Sequence, residues 1–112
     1  MRRITEKETK FISYLLDKAG RKINIPKMVK TMKDGEMGSI SFDLKGTHQR
    51  ETQITAGNFY DLDGTMVDFE LTADKEGNLY ELDLWKTDFS KIIALPEPNE
   101  IKITTPNNTY KQ

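Results

Sequence analysis

Between Met66 and Thr87, apolar and polar residues alternate on both sides of a turn sequence, and this constrains the fold more than any other stretch. Successive side chains of a strand point to opposite faces. Val67, Phe69 and Leu71 therefore share a face with Tyr80, Leu82 and Leu84 across a hairpin. The other face carries Asp68, Glu70, Glu81 and Asp83, with Trp85 at the end of the row. The connection Asp74-Lys75-Glu76-Gly77 suits a four-residue loop with Gly77 left-handed. This register pairs Ala73 with Asn78, Leu71 with Tyr80 and Phe69 with Leu82, and it sets Glu70 opposite Glu81 and Asp68 opposite Asp83. Like charges so placed cost roughly 0.2–1 kcal/mol per pair, which a nearby cation, either a Lys from the basic half or one from a partner, would offset.

The apolar face of the hairpin needs a cover, and the N-terminal segment offers one. Thr5 and Glu8 match the capping-box spacing, and Phe11, Ile12, Leu15, Leu16 and Ala19 follow at helical spacing. Gly20 then provides a stop, with Arg21 and Lys22 near the negative end of the helix. If that stripe is fully buried, Leu15→Ala should cost roughly 2–5 kcal/mol.

From Ile23 the period becomes two. Ile23, Ile25 and Val29 share one face, as do Ile40, Phe42 and Leu44, and Asp34-Gly35 suits a two-residue hairpin turn between the runs. That turn sets Val29 opposite Ile40 and Ile25 opposite Leu44, with Pro26 marking an edge or irregular start. After a polar loop from Gly46 to Arg50, a strand is expected from about Glu51 to Tyr60. It places Ile54, Ala56 and Tyr60 on one side and Gln53, Thr55 and Phe59 on the other. Asp61 to Gly64 forms the next turn, and residues 87–91 suit a capped turn of helix. Ile101 to Ile103 could add a short strand, and Pro106 to Gln112 reads as a frayed tail.

The expected fold is α+β: an N-terminal helix packed on one face of an antiparallel sheet of about five strands. Residues 1–98 form the domain and 99–112 the short strand and tail. The uncovered face would present Phe59, Asp68, Glu70, Glu81, Asp83 and Trp85. For Trp85 the burial habit of aromatics favours packing beneath Leu95–Pro98.

The net charge of −1 conceals an asymmetry. Residues 1–50 carry twelve Lys/Arg against six Asp/Glu, and residues 51–112 five against twelve. Such a split either steers an oppositely charged partner or is satisfied by pairing within the fold. With 112 residues, no cysteine, no apolar leader and no membrane-length apolar run, a soluble cytoplasmic single domain is the expectation.

Catalytic chemistry is thinly represented. The single histidine, His48, reads as a solvated loop residue, and no serine elbow or glycine-rich phosphate loop accompanies it. Asp61-Leu62-Asp63-Gly64 resembles a fragment of a calcium loop without its closing glutamate, so an ordinary turn is expected, and no metal or cofactor. Nucleic-acid binding is disfavoured because the aromatic-bearing face is acidic. The paired carboxylates Asp68/Asp83 and Glu70/Glu81 could serve a small hydrolase only if they lined a cleft.

The run from Gly77 to Ser90, Gly-Asn-Leu-Tyr-Glu-Leu-Asp-Leu-Trp-Lys-Thr-Asp-Phe-Ser, with Leu95-Pro96 beyond it, resembles the C-terminal signature of a family of small uncharacterised bacterial proteins. Met32 to Ser39 resembles that family's central motif and Arg3 to Glu8 its start, so the likeness spans roughly residues 2–98. It implies domain boundaries and no activity. By analogy of type, small acidic domains of this kind are similar to immunity proteins, which neutralise toxins. The expected function is therefore a non-enzymatic protein-binding domain. Its acidic sheet face would capture a protein partner such as a basic toxin, with Phe59 and Trp85 as anchors. A homodimer or structural domain is the alternative.

Overall fold

The computed structural model describes residues 1–33 and 37–105; the Asp34-Gly35 turn and the Pro106–Gln112 tail lie outside the described residues. One helix, α1 (Glu6–Lys18), packs on a seven-stranded sheet of β1 (Arg2–Arg3), β2 (Met28–Thr31), β3 (Ile40–Ser41), β4 (Arg50–Tyr60), β5 (Met66–Asp74), β6 (Leu79–Lys86) and β7 (Lys102–Ile103). Strand order is β1-β2-β3-β6-β5-β4-β7, with every pairing antiparallel. The α+β class holds, but the sheet has seven strands rather than about five. The outermost strands, β1 and β7, are two residues each, too short to show a period in the sequence.

The capping box is present. The Thr5 hydroxyl accepts from the Glu8 amide at 3.0 Å, and the Glu8 carboxylate accepts from the Thr5 amide at 2.9 Å. At the other end Arg21 N–H donates to Leu16 and Gly20 N–H to Asp17, with Gly20 at φ +69°, which is a Schellman stop. Phe11, Ile12, Leu15 and Leu16 are buried against Val29, Ile40, Phe59, Phe69, Leu71 and Leu82. The Phe11 ring stands edge-on to Phe59 and Phe69 at 6.0 and 5.3 Å between centroids.

Two registers differ from expectation, both by two residues. Thr31 rather than Val29 lies opposite Ile40. In the long hairpin Leu71 pairs with Leu82, Phe69 with Leu84, Glu70 with Asp83 and Asp68 with Trp85. A bulge leaves Tyr80 as the extra residue between Leu79 and Glu81, so Tyr80 is half-buried rather than a core residue. An even slip preserves which face each side chain takes. The polar row therefore stays on the face away from α1.

β4 behaves differently. Gln53 pairs with Thr72, Thr55 with Leu71 and Phe59 with Val67, so Ile54 is the extra residue of a bulge. One inserted residue reverses the alternation beyond it. Phe59, expected on the outer face, is 1% exposed in the core, and Tyr60, expected inside, is exposed. The bulge also turns Gly57 inward, flanked in the sheet by Phe69 on β5 and Ile103 on β7. A Cβ there would collide with the Lys102 carbonyl and the Phe69 ring, so only glycine fits.

Residues 87–91 form a reverse turn instead of helix. Phe89 N–H donates to the Lys86 carbonyl, Phe89 sits at φ +63°, and the Asp88 carboxylate accepts from the Ser90 amide.

Candidate functional site: an acidic concave face

The face of the sheet away from α1 is built by β4, β5 and β6. Cross-strand pairing sets Glu70 beside Asp83 and Asp68 beside Trp85, and Glu81 follows two residues before Asp83 on the same strand. Arg50, at the start of β4, reaches Glu70 through both terminal nitrogens, at 3.0 and 2.8 Å. Gln53 Nε2 adds a hydrogen bond to Glu70 Oε2 at 2.6 Å. Glu70 thus has its counter-charge within the chain. Arg50, Asp68, Glu70, Asp83 and Trp85 line an open concavity of about 400 Å³.

The electrostatics of this face are unbalanced. Partial burial, joined by the negative charge of Asp83 and a hydrogen bond with it, pushes the Glu81 carboxyl up to about 7, against the pull of Arg50. Burial alone raises Asp68 above the usual aspartate range. The Asp68 carboxylate has no hydrogen-bond or ion-pair partner among the described residues. Trp85 is 53% exposed and not packed beneath Leu95–Pro98, contrary to expectation. Of the six residues expected here, Asp68, Glu70, Glu81, Asp83 and Trp85 share the face, whereas Phe59 is sealed behind it.

A second charged cluster, missed by sequence reasoning, sits at the end of β6. Lys86 is 1% exposed. Its ammonium donates to Asp61 Oδ2 at 2.9 Å, Asp63 Oδ2 at 2.7 Å and the Lys91 carbonyl at 3.2 Å. The Asp61 carboxylate also accepts the amides of Leu62, Ile93 and Ala94. Burial would raise Asp61, but those amides and Lys86 together hold it below the usual aspartate range. The hydrogen bond to Asp63 chiefly keeps Lys86 protonated against desolvation, with Asp61 assisting. The signal was present: the alternation that turns Leu82 and Leu84 inward also turns Lys86 inward, beside an Asp-x-Asp turn.

His48 is not simply solvated. Its Nδ1 lies 3.1 Å from Asp43 Oδ1, and its Nε2 3.7 Å from Glu76 Oε1. The hydrogen bond with Asp43 raises its pKa above the ordinary histidine value, and the Asp43 carboxyl is lowered first of all by the His48 amide.

Of the two readings of the charge asymmetry, pairing of the basic and acidic halves within the fold is seen in part, in Arg50–Glu70 and in Lys10–Glu97 at 3.5 Å. Among the described residues no helix is long and apolar enough to cross a membrane.

Fold and site define a small α+β domain with one helix-covered sheet face and one acidic concave face. A family model described as a domain of unknown function, DUF6984, matches residues 1–96, and the chain belongs to that family. No curated protein and no solved structure matches it.

Proposed function

We propose that this is a non-enzymatic protein-binding domain whose acidic concave face captures a basic protein. The finest form of the reading is an immunity-like role in a bacterial cytoplasm, with a cationic toxin as the partner. The observation that carries it is Asp68, a half-buried carboxylate without a cation of its own, set beside the exposed indole of Trp85. The arginine on this face is already committed to Glu70. A lysine or arginine side chain entering the concavity would meet Asp68 and Asp83 and lie against the indole, combining charge-assisted hydrogen bonds with a cation–π contact. The surrounding negative field would also speed encounter with a basic surface, an effect that weakens with salt.

The lone tryptophan provides the readout. A short arginine-rich peptide should perturb Trp85 fluorescence saturably, and Asp68→Lys/Asp83→Lys should weaken the affinity at least tenfold. Equal affinity for both proteins would reject the reading. A salt-insensitive dimer in sedimentation would favour the self-association alternative instead.

The hydrolase reading draws on Glu81, whose carboxyl titrates near neutral pH beside Asp83. However, those two groups are hydrogen-bonded to each other, whereas paired catalytic carboxylates stand roughly 5–9.5 Å apart around a scissile bond. Glu81→Gln should leave peptide capture intact.

A further inference from the structure

At the loop end of the β5–β6 hairpin, away from Trp85, three potential metal ligands converge. One donor atom each from His48, Asp74 and Glu76 lies within 4.8 Å of the others. We propose that His48, Asp74 and Glu76 form a binding site for a divalent transition-metal ion of the zinc type, with Asp43 orienting the imidazole from behind.

Asp43 has a side chain only 7% exposed. Its two oxygens accept the His48 amide at 2.9 Å and the Thr47 amide at 3.3 Å, and Oδ1 also faces His48 Nδ1 at 3.1 Å. A carboxylate accepting the Nδ1 proton fixes the ring and leaves Nε2 to coordinate, an arrangement that recurs behind metal-bound histidines. Nε2 faces Glu76. Asp74 is buried, and its Oδ1 is held by the amides of Glu76 and Asn78, at 3.0 Å each. An open cavity of about 300 Å³, lined in part by Asp43, His48, Asp74 and Asn78, adjoins the cluster and leaves room for water ligands.

Donors bound to zinc at about 2.0–2.2 Å stand roughly 3.3–3.6 Å apart in a tetrahedron, so the cluster must contract by about 1 Å. His48 Nε2 and Glu76 Oε1 already stand 3.7 Å apart, so the movement falls on the separations to Asp74, with the 60% exposed Glu76 side chain able to follow. The imidazole selects a borderline ion over calcium or magnesium, which prefer all-oxygen sites.

Composition sharpens the test, because the chain has one histidine and no cysteine. A single set of imidazole ring resonances therefore reports on any nitrogen-ligated metal. Titration of the full chain with ZnCl2 should move those resonances saturably at one equivalent, and calorimetry should give a matching stoichiometry. His48→Gln should abolish binding. Glu76→Gln, at an exposed position that leaves folding intact, should weaken it at least tenfold, and Asp43→Asn by roughly 10–100-fold. CaCl2 and MgCl2 should leave the ring resonances unmoved. Absence of a ring shift at several-fold excess ZnCl2 would overturn the proposal. So would equal affinity of the wild type and Glu76→Gln, which would mean a lone imidazole without a chelate.

Discussion

The Lys86 cluster and the acidic face solve the same problem to different degrees. Each places one cation among several carboxylates. Around Lys86 the accounts close: Asp61 receives the ammonium and three amides, and Asp63 the same ammonium. On the sheet face Arg50 satisfies Glu70, and Glu81, driven toward protonation chiefly by burial, shares a hydrogen bond with Asp83, yet the Asp68 carboxylate has no counter-charge among the described residues. A cluster that is internally matched holds structure together, here by fastening residues 93–94 to the turn after β4. One left with surplus charge is disposed to take up a cation from outside. The contrast separates a structural ion pair from a candidate docking surface without recourse to exposure alone.

The largest expected effect tests the matched side. Asp61→Ala would leave Lys86 buried with only Asp63 and the Lys91 carbonyl as acceptors and would free the Ile93 and Ala94 amides. Removing one member of a buried pair costs about 3–5 kcal/mol. Denaturant unfolding should show that loss, and a change below about 1 kcal/mol would mean that solvent reaches Lys86 readily. Because Asp61 titrates below its unfolded value, its stabilisation is present above the ordinary aspartate range and is lost as pH falls through the lowered pKa.

Conditions at Glu81 should give the opposite sign. Its carboxyl is raised from an unfolded value of 4.5 to about 7. The folded state therefore binds the extra proton, and the resulting stabilisation is complete below about pH 4.5 and lost as pH rises through about 7. Glu81→Gln should flatten the stability profile across that window, in unfolding measured at pH 5 and at pH 8. Arg50→Gln should sharpen the effect, since Arg50 now pulls the Glu81 value down. Carboxylate titration followed by NMR should place Glu81 above its wild-type value in that variant, and an unchanged value would remove Arg50 from the electrostatics of the face.

Legibility in the sequence followed the length of each periodic run. The helix, its caps and the two long strands of the β5–β6 hairpin were readable because several residues repeat one period, and even the two-residue slip left their faces intact. The bulge at Ile54 was not readable, because a single inserted residue leaves no local mark, and it carried Phe59 into the core. Gly57 was the available hint: a glycine within a strand often marks a bulge or a close backbone approach. Lys86 was obscured by the general preference of lysine for solvent, although its parity pointed inward. The His48, Asp74 and Glu76 grouping joins two loops 26 residues apart at its nearest members, which no spacing rule anticipates.

Trp85 offers the smallest expected effect on stability and the clearest separation of the two regions. An exposed side chain at the edge of the concavity supports little of the core, so Trp85→Ala should change unfolding free energy by no more than about 0.5 kcal/mol. If the indole instead closes over a partner's cation, the same substitution should weaken binding of an arginine-rich peptide by a much larger factor, read by calorimetry because the fluorescent probe is lost. A variant that unfolds more easily but binds the peptide as before would reverse the assignment. Trp85 would then belong with Lys86 among the groups that hold the fold, and the surplus charge beside it would have no aromatic partner in recognition.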